Sequence, residues 1–331
     1  MDAQPLKLVF MGTPDLAATV LDRVLAWGGG RIVAIYTQPD RPAGRGMSLK
    51  ASPVKELASL HALPVHQPLN FRNAEEVAVL RSYSPDYILV AAYGLILPQS
   101  VLDIPTRMPL NVHTSLLPKY RGAAPIQRAI MSGDTETGVT IMRMEAGLDT
   151  GAAILQRSVP IGIDDTAEDM HDILAELGGN LLLEALEGLE RKNLTCTPQN
   201  ETIASLAPKL KKTDGILNFS VGAAKIHANF RGVTPWPGAT GTILRDGEDP
   251  LSVIIIKGKL SETTVPAEAA SLPPGSILPK LKDNALAVTC ADGVYLITSL
   301  RPAGRKVMDA AAFMNGYLKG REDAHFALPT E

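Results

Sequence analysis

The stretch Leu6-Lys7-Leu8-Val9-Phe10-Met11-Gly12-Thr13-Pro14-Asp15 decides the fold class. An apolar run broken only by Lys7 reads as a buried strand that ends at a glycine. Pro14 and Asp15 then open a helical pattern through Leu16, Val20, Val24 and Leu25, spaced for one buried face. The alternation continues outward. Arg31–Thr37 reads as a second strand and Pro53–His61 as a second helix. Tyr87–Ala92 is a near-solid apolar strand, as a sheet covered on both faces requires. Leu110–Thr114, Gly138–Met144 and Ala153–Val159 are further strands. Thr166–Leu189 is one long helix, capped by Thr166 with Asp169 three residues on. This pattern predicts an α/β, doubly wound, mostly parallel sheet of the Rossmann-like kind.

Beyond residue 192 the pattern changes. Residues 193–208 are polar and aperiodic and read as a linker between a domain over 1–192 and another over 209–331. The second part offers a helix over Val221–Phe230 and a turn at Thr234-Pro235-Trp236-Pro237-Gly238. Short β runs follow at Thr240–Leu244, Val253–Ile256, Leu286–Thr289 and Val294–Leu300. A small OB-like β-barrel is expected.

The chain has 331 residues, of which 45% are hydrophobic and 20% charged, so a globular protein of roughly two domains is expected. Its two cysteines, Cys196 and Cys290, form neither a disulfide framework nor a zinc motif, which predicts a reducing, cytoplasmic setting and no metal. The longest apolar stretch, Tyr87–Leu97, is far below the ~18 residues of a membrane span. Residues 1–205 hold 17 Lys+Arg against 23 Asp+Glu, and residues 206–331 hold 15 against 12. That balance excludes a protein that coats nucleic acid indiscriminately and leaves room for a polyanion held by local patches.

Three segments carry chemistry. Gly12-Thr13-Pro14-Asp15 has one glycine where a dinucleotide fingerprint needs three, so it reads as a tight β–α turn. In Asn111-Val112-His113, alternation along a strand points the amide and the imidazole the same way. They stand at a strand end where open α/β sheets place ligands. Taken alone, Gly147-Leu148-Asp149-Thr150-Gly151 reads as a β-turn.

Together, Asn111-x-His113, Ser115-Leu116-Leu117-Pro118 and the Gly147–Gly151 loop resemble the signature of formyltransferases that use 10-formyltetrahydrofolate. Val9–Asp15, Lys119–Gln127 and Gly138–Met142 are similar to the branch acting on methionyl-tRNA. The resemblance implies Asn111, His113 and Asp149 as the catalytic trio. It puts Ser115, Leu116, Leu117 and Pro118 at the tetrahydrofolate, with Tyr93, Gly94, Leu95 and Ile96 beside the pterin ring. Arg41-Pro42-Ala43-Gly44-Arg45-Gly46 matches a loop that enters the acceptor stem in that branch, making Arg45, with Arg41 and Lys50, the expected tRNA contacts. Lys209, Lys211 and Arg305 are further expected phosphate grips. The resemblance further implies initiator methionyl-tRNA and tetrahydrofolate as partners, and a monomer. The competing readings are a formyltransferase for a small amine, such as glycinamide ribonucleotide or an amino sugar, and a noncatalytic RNA-binding protein. The former would not need the 41–50 loop, and the latter would not need a carboxylate facing Asn111 and His113.

Overall fold

The computed structural model describes residues 5–43, 48–261, 271–278 and 284–329. The chain divides into two compact units. The first comprises Met1–Pro125, Glu136–Pro160 and Met170–Pro208, and the second Ile126–Thr135, Ile161–Asp169 and Lys209–Glu331.

The chain opens with β1 (Leu6–Gly12), α1 (Asp15–Ala26), β2 (Gly30–Tyr36), β3 (Arg41–Ala43), β4 (Ser48–Lys50) and α2 (Pro53–Leu60). It continues through β5 (Val65–His66), α3 (Ala74–Ser82), β6 (Tyr87–Ala91), α4 (Gln99–Leu102) and β7 (Met108–His113). Then come α5 (Pro125–Ser132), β8 (Glu136–Arg143), β9 (Ala153–Pro160) and α6 (Ala167–Glu190).

The first unit is built on a seven-stranded sheet of order β5-β2-β1-β6-β7-β8-β9. It is parallel from β5 to β7, while β8 runs antiparallel to both of its neighbours, β7 and β9. The mostly parallel α/β sheet expected from the strand–helix alternation is therefore present. Side chains alternate across it as strand geometry demands. Val9, Met11, Ile88 and Val90 pack with Leu80 of α3 and Val101 and Leu102 of α4. On the other face Gly178 of α6 lies so close to Val112 that a Cβ there would stand 2.7 Å from it. Arg23 of α1 donates through Nε to Glu176 of α6 at 2.9 Å. The reciprocal cap at the start of α6 forms as its spacing predicts. Thr166 N–H and Oγ1 donate to Asp169, whose N–H donates back to Thr166 Oγ1 at 3.3 Å.

Short elements such as β5 and α4 escape the sequence reading, and so do three further features. The stretch after β2, read as a loop, contains a β3–β4 hairpin with Arg41 opposite Lys50 and Pro42 opposite Leu49. Helix α3 has only one buried side chain, Leu80, so its apolar period is too weak to read. Helix α5 follows Ala123-Ala124 with no N-cap residue to announce it.

The second unit adds α7 (Ala223–Gly232) and the strands β10 (Ala239–Leu244), β11 (Leu251–Leu260), β12 (Leu286–Cys290) and β13 (Gly293–Pro302). Short pieces complete it: β14 (Met308–Asp309), α8 (Ala310–Phe313) and β15 (His325–Phe326). The sheet order is β12-β13-β11-β10-β15. Residues 275–278 stitch its two ends. Gly275 N–H donates to Thr289 O at 2.8 Å, and Phe326 N–H donates to Gly275 O at 2.7 Å. The expected small barrel is thus nearly closed, around Phe219, Ile243, Val253, Val288, Ile297 and Phe326. Residues 161–169 belong to this unit because Arg231 of α7 donates to Gly162 O at 3.0 Å and to Asp165 O at 2.9 Å.

Candidate active site

The first unit's strand order reverses between β1 and β6, and the carboxyl ends of those strands flank the crevice where open α/β sheets take ligands. That crevice is braced by polar side chains. Thr13 Oγ1 donates to Tyr93 O at 3.0 Å, and Gln38 Nε2 donates to the same oxygen at 3.1 Å. After β6 the backbone turns through Ala92 at φ +43° and Gly94 at φ +79°. The Tyr93 ring is buried in the core cluster, Leu95 is half-buried and Ile96 is 94% exposed. Of the four residues expected beside the pterin, therefore, Ile96 stands free in solvent and Tyr93 faces the core.

Asn111 and His113 occupy the end of β7, in register with Met142 and Thr140 of β8. Val112 faces α6, so alternation turns the Asn111 and His113 side chains to the opposite face. They are 8% and 5% exposed. His113 Nε2 lies 3.0 Å from Tyr120 O, and a carbonyl only accepts, so Nε2 carries the proton. Its Nδ1 faces Asp149 Oδ2 at 3.7 Å, within ion-pair range and beyond a direct hydrogen bond. Burial pulls the His113 pKa down, opposed by the Asp149 charge and the Tyr120 carbonyl. Burial therefore favours the neutral ring, whose Nδ1 lone pair is aimed at the carboxylate side.

Asp149 is brought there by a turn, not by the sheet. The residue sits at φ +51°, and its Oδ2 accepts from Gly122 N–H at 2.8 Å. Gly122 itself has φ +123°, and a Cβ there would stand 2.8 Å from Ala207 O, so the position requires glycine. Tyr120, which offers the carbonyl to His113, is at φ +63°. Left-handed non-glycine residues persist only where surroundings over-determine them, and such residues gather at functional sites.

Ser115 to Pro118 form a turn containing a cis Leu117–Pro118 bond. Its polar atoms are consumed internally. Ser115 Oγ donates to Lys119 O at 2.6 Å, and Thr140 Oγ1 donates to Ser115 O at 2.7 Å. Thr140 Oγ1 also accepts from Leu117 N–H at 3.1 Å and from Gln156 Nε2 at 2.9 Å. Leu117 is buried, and Leu116 packs against Gly138.

The expected RNA contacts fall in different places. Arg41 and Lys50 are exposed and directly opposed on the β3–β4 hairpin, so two like charges share one face. Arg41 also donates to Gln38 Oε1. Arg45 lies outside the described residues. In the second unit Lys209, Lys211 and Arg305 are exposed, with Arg305 beyond the end of β13.

The sequence reading missed Gln199, Arg121 and Glu201 as parts of the site. Gln199 Nε2 donates to Asp149 O and Gly151 O, each at 2.8 Å, and Arg121 links Gln199 to Glu201. Gln199 and Glu201 escaped because residues 193–208 are aperiodic, and Arg121 because its partners lie 78 and 80 residues further along the chain. Among the described residues no His, Cys, Asp and Glu side chains group to hold a metal, and no helix is long and apolar enough to cross a membrane.

Compared with known proteins, residues 6–186 match the Formyl transferase family and residues 209–318 the Formyl transferase, C-terminal domain family. The methionyl-tRNA formyltransferase of Nitratidesulfovibrio vulgaris is 49% identical over 317 residues, covering 96% of this chain and 94% of that protein. The enzyme of the same name from Hahella chejuensis is 45% identical over 314 residues, 95% of each. Among solved structures, an N-formyltransferase from Helicobacter canadensis aligns at TM-score 0.64 and 19% identity, covering 88% of this chain and 98% of that one. HypX from Aquifex aeolicus in complex with tetrahydrofolic acid aligns at TM-score 0.60 and 20% identity. This chain spans 48% of the HypX chain, which covers 96% of this one. The structures share the fold, and the near-full-length identity to the enzymes acting on methionyl-tRNA is what places this chain in the methionyl-tRNA formyltransferase family.

Proposed function

We propose that this chain transfers the formyl group of 10-formyltetrahydrofolate to the α-amino group of methionyl-initiator tRNA, giving N-formylmethionyl-tRNA for translation initiation. The observation that carries the chemical part of this reading is the convergence of Asn111, His113 and Asp149, from two separate segments, at the end of β7.

The amine nitrogen attacks the formyl carbon, forming a C–N bond and leaving negative charge on the formyl oxygen. Asn111, on the same face as His113, is placed to donate to that oxyanion. One preorganised donor of this kind contributes about 3–4 kcal/mol. The attacking amine must lose a proton. With Nε2–H committed to Tyr120 O, the free lone pair is on Nδ1 of a neutral ring, suited to act as the base. The carboxylate of Asp149 faces that nitrogen and stabilises the imidazolium once it forms. The C–N10 bond then breaks, and N10 of tetrahydrofolate leaves with a proton, so one proton is released and one taken up. The Tyr93–Ile96 and Ser115–Pro118 turns are the proposed walls of the folate site. Arg41 and Lys50 of the hairpin, together with Arg45, Lys209, Lys211 and Arg305, are the proposed phosphate contacts.

The reading extends to domain roles: catalysis in residues 1–192, tRNA binding in 209–331, and 193–208 between them. It includes a monomer, and a cytoplasmic setting with which the unpaired Cys196 and Cys290 agree. The test is formyl incorporation from 10-formyltetrahydrofolate into methionyl-tRNA, compared with glycinamide ribonucleotide and an amino sugar. Efficient transfer to tRNA alone is expected, and preference for a small amine sinks the proposal.

A further inference from the structure

Asp149 faces His113 only while its residue stays in the left-handed region at φ +51°, which L side chains rarely adopt. The clamp on that turn is Gln199. Its two amide N–H groups donate to Asp149 O and Gly151 O, spanning the turn on both sides of Thr150. Its Oε1 accepts from Arg121 Nε at 3.0 Å and Nη2 at 2.7 Å, which settles which way the amide points. A flipped amide would set its oxygen against two carbonyls and its N–H groups against a guanidinium.

Arg121 is in turn fixed by charge and by backbone. Its side chain is 7% exposed and pairs with Glu201 through Nη1–Oε2 at 2.8 Å and Nη2–Oε1 at 2.7 Å. Its N–H donates to Ser205 O at 2.8 Å, and Ala207 N–H donates to its carbonyl at 2.7 Å. Tyr120 N–H donates to Ser205 Oγ at 2.9 Å. One strap, residues 199–207, therefore secures both partners of His113: the Tyr120 carbonyl at Nε2 and the Asp149 carboxylate at Nδ1.

We infer that Gln199, oriented by Arg121 and Glu201, is a positioning residue for the formyl transfer, holding the Asp149 carboxylate against the His113 imidazole. The inference rests on the formyltransferase reading above. Small displacements of a reacting group can cost about a hundredfold in rate, whereas a strap that merely ties the chain down would alter stability and not turnover.

The test compares Gln199→Ala, Gln199→Glu and Glu201→Gln with the parent, measuring kcat, both KM values and the thermal midpoint. Gln199→Glu keeps the length and loses the two donors. Both Gln199 variants are expected to lower kcat about 30-fold with each KM within about twofold, and Glu201→Gln to lower it about threefold. The role is overturned if kcat stays within twofold of the parent, or if KM values rise in step. It is also overturned if the loss equals the unfolded fraction at the assay temperature, or if none of the variants folds. A parent inactive on methionyl-tRNA would defeat the formyltransferase reading itself, whereas an active parent with unaltered variants defeats the positioning role alone.

Discussion

Replacing Asp149 by Asn removes one charge and little else. The new side chain keeps an oxygen for the Gly122 N–H, which Asp149 Oδ2 now accepts at 2.8 Å, so the turn stays in place. What is lost is the carboxylate 3.7 Å from His113 Nδ1. An imidazolium and a carboxylate at that distance attract by about 4 kcal/mol at an effective dielectric constant of about 20. The His113 side chain is 6% exposed and that of Asp149 17%, so the pair is little screened. If the imidazolium forms on the way to the transition state, kcat falls about a thousandfold, at about 1.4 kcal/mol per decade. The same Oδ2 that takes the Gly122 N–H faces Nδ1, so the oxygen kept there leaves the lone pair free and the loss is that of the charge. The assay is single-turnover formylation of methionyl-tRNA at saturating 10-formyltetrahydrofolate, with folate affinity measured separately. Affinity is expected to stay within about threefold, because the charge acts on the proton being transferred rather than on the bound donor. A loss of less than tenfold, or a loss confined to folate binding, would refute the argument.

Burial lowers the pKa of His66, His113 and His227. A buried histidine stabilises the fold above its unfolded-state value and loses that contribution as pH falls, so the thermal midpoint should drop from pH 7 toward pH 5. A flat profile across that interval contradicts the burial argument. Thr140→Val is nearly isosteric and leaves the Leu117 N–H without its acceptor, which should cost about 1–3 kcal/mol in denaturant unfolding and raise the folate KM. Unaltered stability would mean the turn relies on other bonds. Arg41→Ala and Lys50→Ala each relieve a like-charge pair across the hairpin, so stability should hold or rise slightly while the tRNA KM rises and flattens with salt. An unchanged KM at low ionic strength would remove the hairpin from the RNA contact.

The sequence by itself determined what depends on local periodicity: the β1–α1 turn, the solid apolar β6, the reciprocal cap at Thr166 and Asp169, and the shared direction of Asn111 and His113. Each is decided within a few residues, by alternation along a strand or by one turn of helix. The tertiary structure alone decided how far Asp149 stands from His113, which nitrogen of the ring is free, and that Gln199, from the 193–208 stretch, bonds to the turn carrying Asp149. It also decided that residues 275–278 close the barrel and that Arg41 stands opposite Lys50. These features rest on hydrogen bonds between distant or aperiodic segments. Their partners are chosen by the folded backbone, and no spacing in the chain encodes them.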